Sequence, residues 1–154
     1  QDAYLKPGAS AYIITGKSPL GSYSFEINKC LGYLEQSYDF YPAVPTDCPG
    51  VKEQELPKFP NQLDDVCLDY IPYVWRCYQP SFEDLPETLT NECKNFIREK
   101  FSYRSCVSSY QYDQDFYQGE WRIHLNRDQE LWKTSREHLR LIDQSGKVLD
   151  EFSY

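Results

Sequence analysis

The sequence lacks the features that mark several classes of protein. No run reaches the roughly 18 apolar residues of a membrane span, so no membrane insertion is predicted. There is no C-x-x-C pair, and neither His124 nor His138 lies near two cysteines, which argues against zinc. No serine or cysteine lies in a G-x-S-x-G motif. We therefore expect no enzyme, with a hydrolase only as the third alternative.

A leader and a metal-binding loop are also missing. The chain begins at Gln1 without a charged and apolar leader, as a mature secreted protein or an excised fragment would. Calcium needs about six or more oxygens, often in a D-x-D-x-D run with glycine, and Asp113-Gln114-Asp115 is only part of one. Asp64 and Asp65 fall in the first turn of a predicted helix, where negative charge is favoured anyway. We predict no metal and no cofactor.

Acidic residues outnumber basic ones. The chain of 154 residues has 24 Asp and Glu against 16 Lys and Arg, a formal net charge of -8. Such a chain repels phosphate backbones and anionic membrane surfaces, so nucleic acid is not an expected partner. Hydrophobic residues make up 40% and aromatic residues 16%, enough to build a folded core.

Cysteine is the most informative component. An even number scattered through the middle of the chain predicts three disulfides and no free thiol, in an oxidising compartment. The alternative is six reduced, buried cysteines in a cytosolic protein. The six residues are Cys30, Cys48, Cys67, Cys77, Cys93 and Cys106.

Residue patterns divide the chain into three zones. Residues 1–27 and 119–154 are predicted to be strands, and residues 28–118 a cysteine-rich, partly helical insertion. The predicted strands cover 11–15, 22–27, 121–125, 139–142 and 148–152, with a tight turn at 143–146. Trp121, Ile123 and Leu125 share a strand face, so Trp121 is predicted to be a core residue whose truncation costs about 3–5 kcal/mol. His124 is expected on the opposite, polar face.

Two helices are predicted in the insertion. The first is capped by Asn61 and interrupted at Pro72, and the second runs from about Glu87 to Phe101. Antiparallel packing of these helices would pair Cys77 with Cys93 and Cys67 with Cys106, leaving the first two cysteines for each other. The rival pairing joins neighbours, Cys67 to Cys77 and Cys93 to Cys106.

Motifs at both ends of the chain resemble the lamin tail domain family. They are Leu5-Lys-Pro-Gly8 with its following strand, Trp121-Arg-Ile-His-Leu-Asn126, Glu130-Leu-Trp132, and Leu139 to Tyr154 with its Asp143-Gln-Ser-Gly146 turn. The resemblance implies an immunoglobulin-like β-sandwich, mainly β, that here lacks leading strands and carries the helical insertion. It also implies a bacterial protein that is secreted or lies on the cell surface.

The expected function is therefore a non-enzymatic structural, adhesion or assembly module. A sheet without its leading strands should be completed by other copies or by a separate chain, at the Ala11–Thr15 or Val148–Phe152 edge. The alternative function is a carbohydrate-binding module with a glycan as ligand. The simpler interpretation of its aromatic residues is that they pack the loops onto the sheet. The candidate binding aromatics are Tyr38, Tyr41, Tyr110, Tyr112 and Tyr117.

Overall fold

A three-stranded sheet joins the two ends of the chain in the computed structural model, which describes residues 5–22 and 24–154. Its strands are β1 (Ser10–Ile14), β2 (Ser24–Asn28) and β3 (Tyr117–His124), in the order β1-β3-β2. Strand β3 pairs parallel to β1 and antiparallel to β2. These strands confirm the predicted ones to within a few residues, although Tyr23 of the second prediction lies outside the described residues.

A β-hairpin forms the second sheet. Strands β4 (His138–Ile142) and β5 (Val148–Ser153) pair antiparallel, as the sequence predicts. The Asp143 carboxylate closes the turn by accepting hydrogen bonds from the backbone N–H of Ser145 at 2.8 Å and of Lys147 at 3.0 Å. Gly146 has φ +85°, a backbone conformation that other residues rarely adopt, so this turn requires glycine.

Three short helices lie between β2 and β3: α1 (Asp65–Tyr70), α2 (Asn91–Lys100) and α3 (Tyr103–Tyr110). Helix α1 begins after Asp64, whose carboxylate caps Cys67 N–H, and not after Asn61. Helix α2 begins later than Glu87 because Thr90 caps it. Helix α3, capped by Ser102, was not predicted. Short 3₁₀ helices cover Leu31–Gln36, Glu53–Glu55 and Ile71–Tyr73.

In residues 5–22 and 24–154, the structure contains no helix with the length and apolar character that crossing a membrane requires. The longest helix, α2, has ten residues.

Three disulfides bond all six cysteines, so the predicted number and the absence of a free thiol are confirmed. Both predicted pairings are wrong. The bonds are Cys30–Cys106, Cys48–Cys77 and Cys67–Cys93. Three bonds of this kind indicate an oxidising compartment.

The helix geometry explains the corrected pairing. Cys67 and Cys93 each lie in the first turn of a helix, and the two N-termini meet where Thr90 Oγ1 bonds Asp64 Oδ2 at 3.2 Å. Cys77 lies beyond α1 with φ +56°, and it bonds Cys48 rather than Cys93 of α2. The unpredicted helix α3 carries Cys106 to Cys30 at the end of β2.

The core lies mainly inside the helical segment. One cluster there contains the six half-cystines with Leu85, Leu89, Ile97 and Phe101. A smaller cluster of Ile27, Leu31 and Val44 joins the sheet to this segment.

The burial of β3 is opposite to the prediction. Arg122 and His124 are 4% and 5% exposed, whereas Trp121 and Ile123 are only half-buried and Leu125 is exposed. The loop that contains Phe40 and Ala43 covers the Arg122 side of the sheet: Phe25 packs between Phe40 and His124, and Arg122 Nη2 donates to Ala43 O at 3.3 Å. Alternation along a strand distinguishes its two faces, but the covering segment decides which face is buried.

The architecture is thus a small fold of mixed strands in two sheets, with short helices and three disulfides. The expected helices and disulfides are present between β2 and β3. The described residues do not form a complete immunoglobulin-like sandwich, because they supply five strands where a constant-type sandwich has about seven.

Candidate functional site

A groove separates strand β1 from the hairpin β4–β5. Strand β1 is an edge strand, because β3 pairs with it on one side and no other described strand pairs with it. Both strands of the hairpin likewise have only one partner among the described residues. The predicted edge segments 11–15 and 148–152 therefore do lie at sheet edges. The groove between them has a volume of about 660 Å³.

Apolar side chains dominate the groove, which we call the edge groove. Ile13 is 55% exposed, Leu141 60% and Phe152 63%, although all three are large hydrophobic residues. Single exposed hydrophobic residues are ordinary on a protein surface, but a contiguous set marks an interaction site. The lining residues are Ala11, Ile13, Trp132, Leu139, Arg140, Leu141, Asp150, Glu151, Phe152 and Tyr154.

Backbone groups add a second property to the edge groove. An unpaired strand edge presents N–H donors and C=O acceptors at the spacing of a β-ladder. An extended peptide placed along β1 would pair with these groups and bury the apolar side chains beside them. This arrangement can hold a polypeptide strand.

The opposite face of the sheet holds two buried ionisable side chains. Arg122 makes an ion pair with Glu120 at 2.6 Å, and its guanidinium lies 4.4 Å from the Tyr12 ring centroid. Burial lowers the pKa of His124 below its ordinary value, and the nearby Arg122 charge acts in the same direction. His124 is therefore neutral at neutral pH.

His124 has no catalytic partners in the part of the chain that the structure describes. Ser18 and Ser22 line a cavity of about 80 Å³ with His124, but neither hydroxyl is hydrogen-bonded to the ring. His124 Nδ1 lacks any hydrogen-bond partner there, so no carboxylate holds that ring nitrogen. His138 is exposed and contacts Glu151 at 3.3 Å.

The predicted binding aromatics occupy different environments. Tyr110 is a packing residue whose hydroxyl donates to Gly50 O at 2.6 Å while Lys52 Nζ lies 4.1 Å from its ring centroid. Tyr38 packs on Phe40, and Tyr117 packs on Phe116. Tyr41 and Tyr112 are strongly exposed. Ligand binding by these five residues stays a prediction.

Three of the four carboxylates named from the sequence have structural partners. Asp113 and Asp115 both contact Lys29 Nζ, at 3.3 Å and 2.5 Å. Asp64 caps α1 through a 2.7 Å bond from Cys67 N. Among the described residues, no three His, Cys, Asp or Glu side chains are arranged to hold a metal ion.

Sequence reasoning identified the edges of the groove but missed much of its lining. Leu139, Leu141 and Trp132 were not named as candidates. The available signal was the run Leu141-Ile142 on one strand and Val148-Leu149 on the other, because adjacent apolar residues on both strands of a hairpin make both faces apolar.

In comparisons with known proteins, no family model, no curated protein and no solved structure matches this chain.

Proposed function

We propose that this chain is a non-enzymatic module, extracellular or on a cell surface, that binds another polypeptide by strand addition. The proposal depends on one observation, the unpaired edge of β1 beside an exposed apolar groove. The three disulfides support an oxidising location.

The resemblance to lamin tail domains supports this proposal. It implies an immunoglobulin-like sandwich, and the half-buried face of β3 with the exposed hairpin provides two apolar surfaces that such a sandwich would pack together. An added strand in the edge groove would bury Ile13, Leu141 and Phe152. Full burial of a side chain of this size contributes roughly 1.5–3 kcal/mol, so burying the exposed parts of these three would contribute a few kcal/mol that adds to the main-chain hydrogen bonds of the added strand.

The charge of the chain favours a separate polypeptide over a second copy. Two copies would each carry a formal net charge of -8, and their mutual repulsion opposes association. The occupant we propose is an extended segment of another chain with alternating apolar residues and neutral or basic residues between them.

Hydrogen exchange with synthetic peptides tests the proposal. The probe is a set of extended peptides with Val or Ile at alternate positions and Lys or Thr between them. A binding peptide should slow exchange of the β1 amides and leave those of α2 unchanged. Scrambled peptides of the same composition, in which the alternation is lost, are the control.

Matched variants locate the binding site. Ile13→Asp should abolish peptide binding, whereas Val66→Asp on α1 should not, although Ile13 and Val66 are equally exposed at 55%. Light scattering tests the alternative that a second copy of this chain fills the groove. A dimer that the Ile13→Asp variant fails to form would replace the proposal that a different polypeptide binds there. Peptide binding that both variants retain would refute a role for the edge groove.

A second candidate function, carbohydrate binding, is favoured by a different groove. Tyr12, Tyr41 and Trp132 line a groove of about 560 Å³ together with Asp39 and Glu130. Aromatic faces with carboxylates nearby are suited to sugar rings and their hydroxyls. Titration with soluble oligosaccharides, followed by tryptophan fluorescence, tests this function. Tyr41→Ala should weaken a genuine interaction. Phe59→Ala is the matched control, because Phe59 is about as exposed as Tyr41 and lies outside this groove.

A further inference from the structure

An aromatic pocket beyond α1 is separate from both grooves. It has a volume of about 380 Å³, at the small end of the usual range of roughly 300–1,000 Å³ for ligand pockets. The lining residues are Tyr70, Tyr73, Val74, Trp75, Tyr78, Pro80, Asp84 and Leu85. Val74, Pro80 and Leu85 are buried, whereas Tyr73 and Trp75 are each 77% exposed.

Two aromatic rings form an angled corner in this pocket. The Trp75 and Tyr78 ring centroids lie 6.1 Å apart, and the ring planes meet at 64°. A sugar ring stacks best on a flat or coplanar platform, whereas a compact cation can contact the faces of several angled rings at once. The corner geometry therefore favours a small cation over a saccharide.

Asp84 supplies the charge. Its Oδ2 accepts hydrogen bonds from Tyr78 Oη at 2.9 Å and from Ser81 N at 2.8 Å, so the carboxylate is held beside the aromatic corner. These hydrogen bonds lower the pKa of Asp84, the Ser81 backbone contributing most. Among the described residues, no lysine, arginine or histidine lies within ion-pair distance of Asp84.

The surrounding segment is well anchored. The disulfides Cys48–Cys77 and Cys67–Cys93 attach both sides of the segment between residues 67 and 77 to the core. Tyr70, Tyr73 and Trp75 thus project from a backbone with little freedom to collapse, which reduces the entropic cost of binding.

We infer that this pocket binds a small organic cation, a trimethylammonium group, with Trp75 and Tyr78 as its walls and Asp84 as its counter-ion. Aromatic rings attract such a cation through the negative charge on their faces, and the methyl groups fill the apolar floor. The Asp84 carboxylate balances the positive charge of the bound cation. This inference is independent of strand addition in the edge groove.

Calorimetric titration of the intact protein with choline chloride tests the inference. The decisive comparison is the uncharged dimethylbutanol isostere of choline, which has the same shape without the charge. Choline should bind at least roughly tenfold more tightly than the alcohol. Equal affinity for the two compounds, or no binding of choline, would overturn the proposal, as would tighter binding of a neutral saccharide.

Variants assign the contacts. Trp75→Ala and Asp84→Asn should each weaken choline binding by about tenfold, and Trp75→Phe should restore part of the loss. The controls are Tyr112→Ala, another exposed aromatic, and Asp47→Asn, which removes the same charge elsewhere. Circular dichroism verifies that each variant is folded. If the controls weaken binding as much as the pocket variants, the site lies elsewhere.

A further experiment distinguishes a lipid headgroup from a free small molecule as the source of the cation. Phosphatidylcholine vesicles present the same trimethylammonium group on a lipid. If the protein sediments with the vesicles and the Trp75→Ala variant does not, the pocket reaches a lipid headgroup. Choline binding without vesicle binding would identify a free small molecule as the ligand, and both results support the pocket chemistry.

Discussion

Replacing Gly32 by alanine sets two physical effects against each other. Gly32 lies in the 3₁₀ turn Leu31–Gln36 and is buried. Glycine is destabilising inside a helical segment by roughly 0.5–1 kcal/mol relative to alanine, so propensity alone predicts a more stable protein. The tertiary structure predicts the opposite. A Cβ at this position would overlap Cys77 Sγ and lie 2.6 Å from the Pro45 carbonyl oxygen.

Neither neighbour of Gly32 can move easily. Cys77 is held by its disulfide to Cys48, and the Pro45 oxygen is part of the backbone. Overpacking of this kind costs typically about 1–3 kcal/mol, which exceeds the propensity gain. We therefore expect Gly32→Ala to lower the free energy of unfolding by about 1–2 kcal/mol, which corresponds to a fall in Tm of roughly 2–8 °C.

Thermal and urea unfolding measure this loss against a matched control. Gly50→Ala adds the same methyl group where no atom lies within 4 Å, so it should be neutral or stabilising by up to about 1 kcal/mol. A second background isolates the clash: when Cys48 and Cys77 are both alanine, Gly32→Ala should cost less. A Gly32→Ala protein as stable as the wild type would refute the packing argument.

Three further expectations follow from the fold. Non-reducing peptide mapping should recover the Cys30–Cys106 bond, and a Cys30–Cys48 peptide would contradict the structure. Trp121→Ala should cost well under the about 3–5 kcal/mol of a fully buried aromatic, because Trp121 is half-buried; calorimetry will show whether it does. Since burial lowers the pKa of His124 in the folded protein, the unfolded chain binds more protons once the pH is below the ordinary histidine pKa of about 6.5, and stability should fall as the pH drops further. His124→Phe should flatten that segment of the Tm–pH profile, and an unchanged slope would exclude His124 as its source.

Local patterns were sufficient to predict the strands. Alternation and β-branched residues mark β1 and β5. The turn from Asp143 to Gly146 is encoded by the Asp143 side chain, which accepts hydrogen bonds from backbone N–H groups of Ser145 and Lys147, and by a glycine with positive φ. The number of disulfides followed from the cysteine count and the missing metal spacing. These features depend on residues close together in the chain or on composition.

Disulfide pairing depended on long-range geometry. Cys30 and Cys106 are 76 residues apart, and α3, which carries the second of them, was not predicted. Helix α3 is short and has serines within it, so its apolar stripe is weak; the N-cap Ser102 was the available signal. The pairing therefore required the placement of every helix at once.

The candidate sites likewise combine features set by the local sequence with features set by the tertiary structure. The sequence by itself determined the edge strands, the absence of a catalytic motif and the supply of aromatic residues. Only the tertiary structure decided that Arg122 and His124 face the covered side, that the hairpin leaves Leu141 exposed, and that Trp75 meets Tyr78 beside Asp84. The physical reason is that alternation and propensity are properties of neighbouring residues, whereas burial and site geometry depend on which distant segments cover a surface.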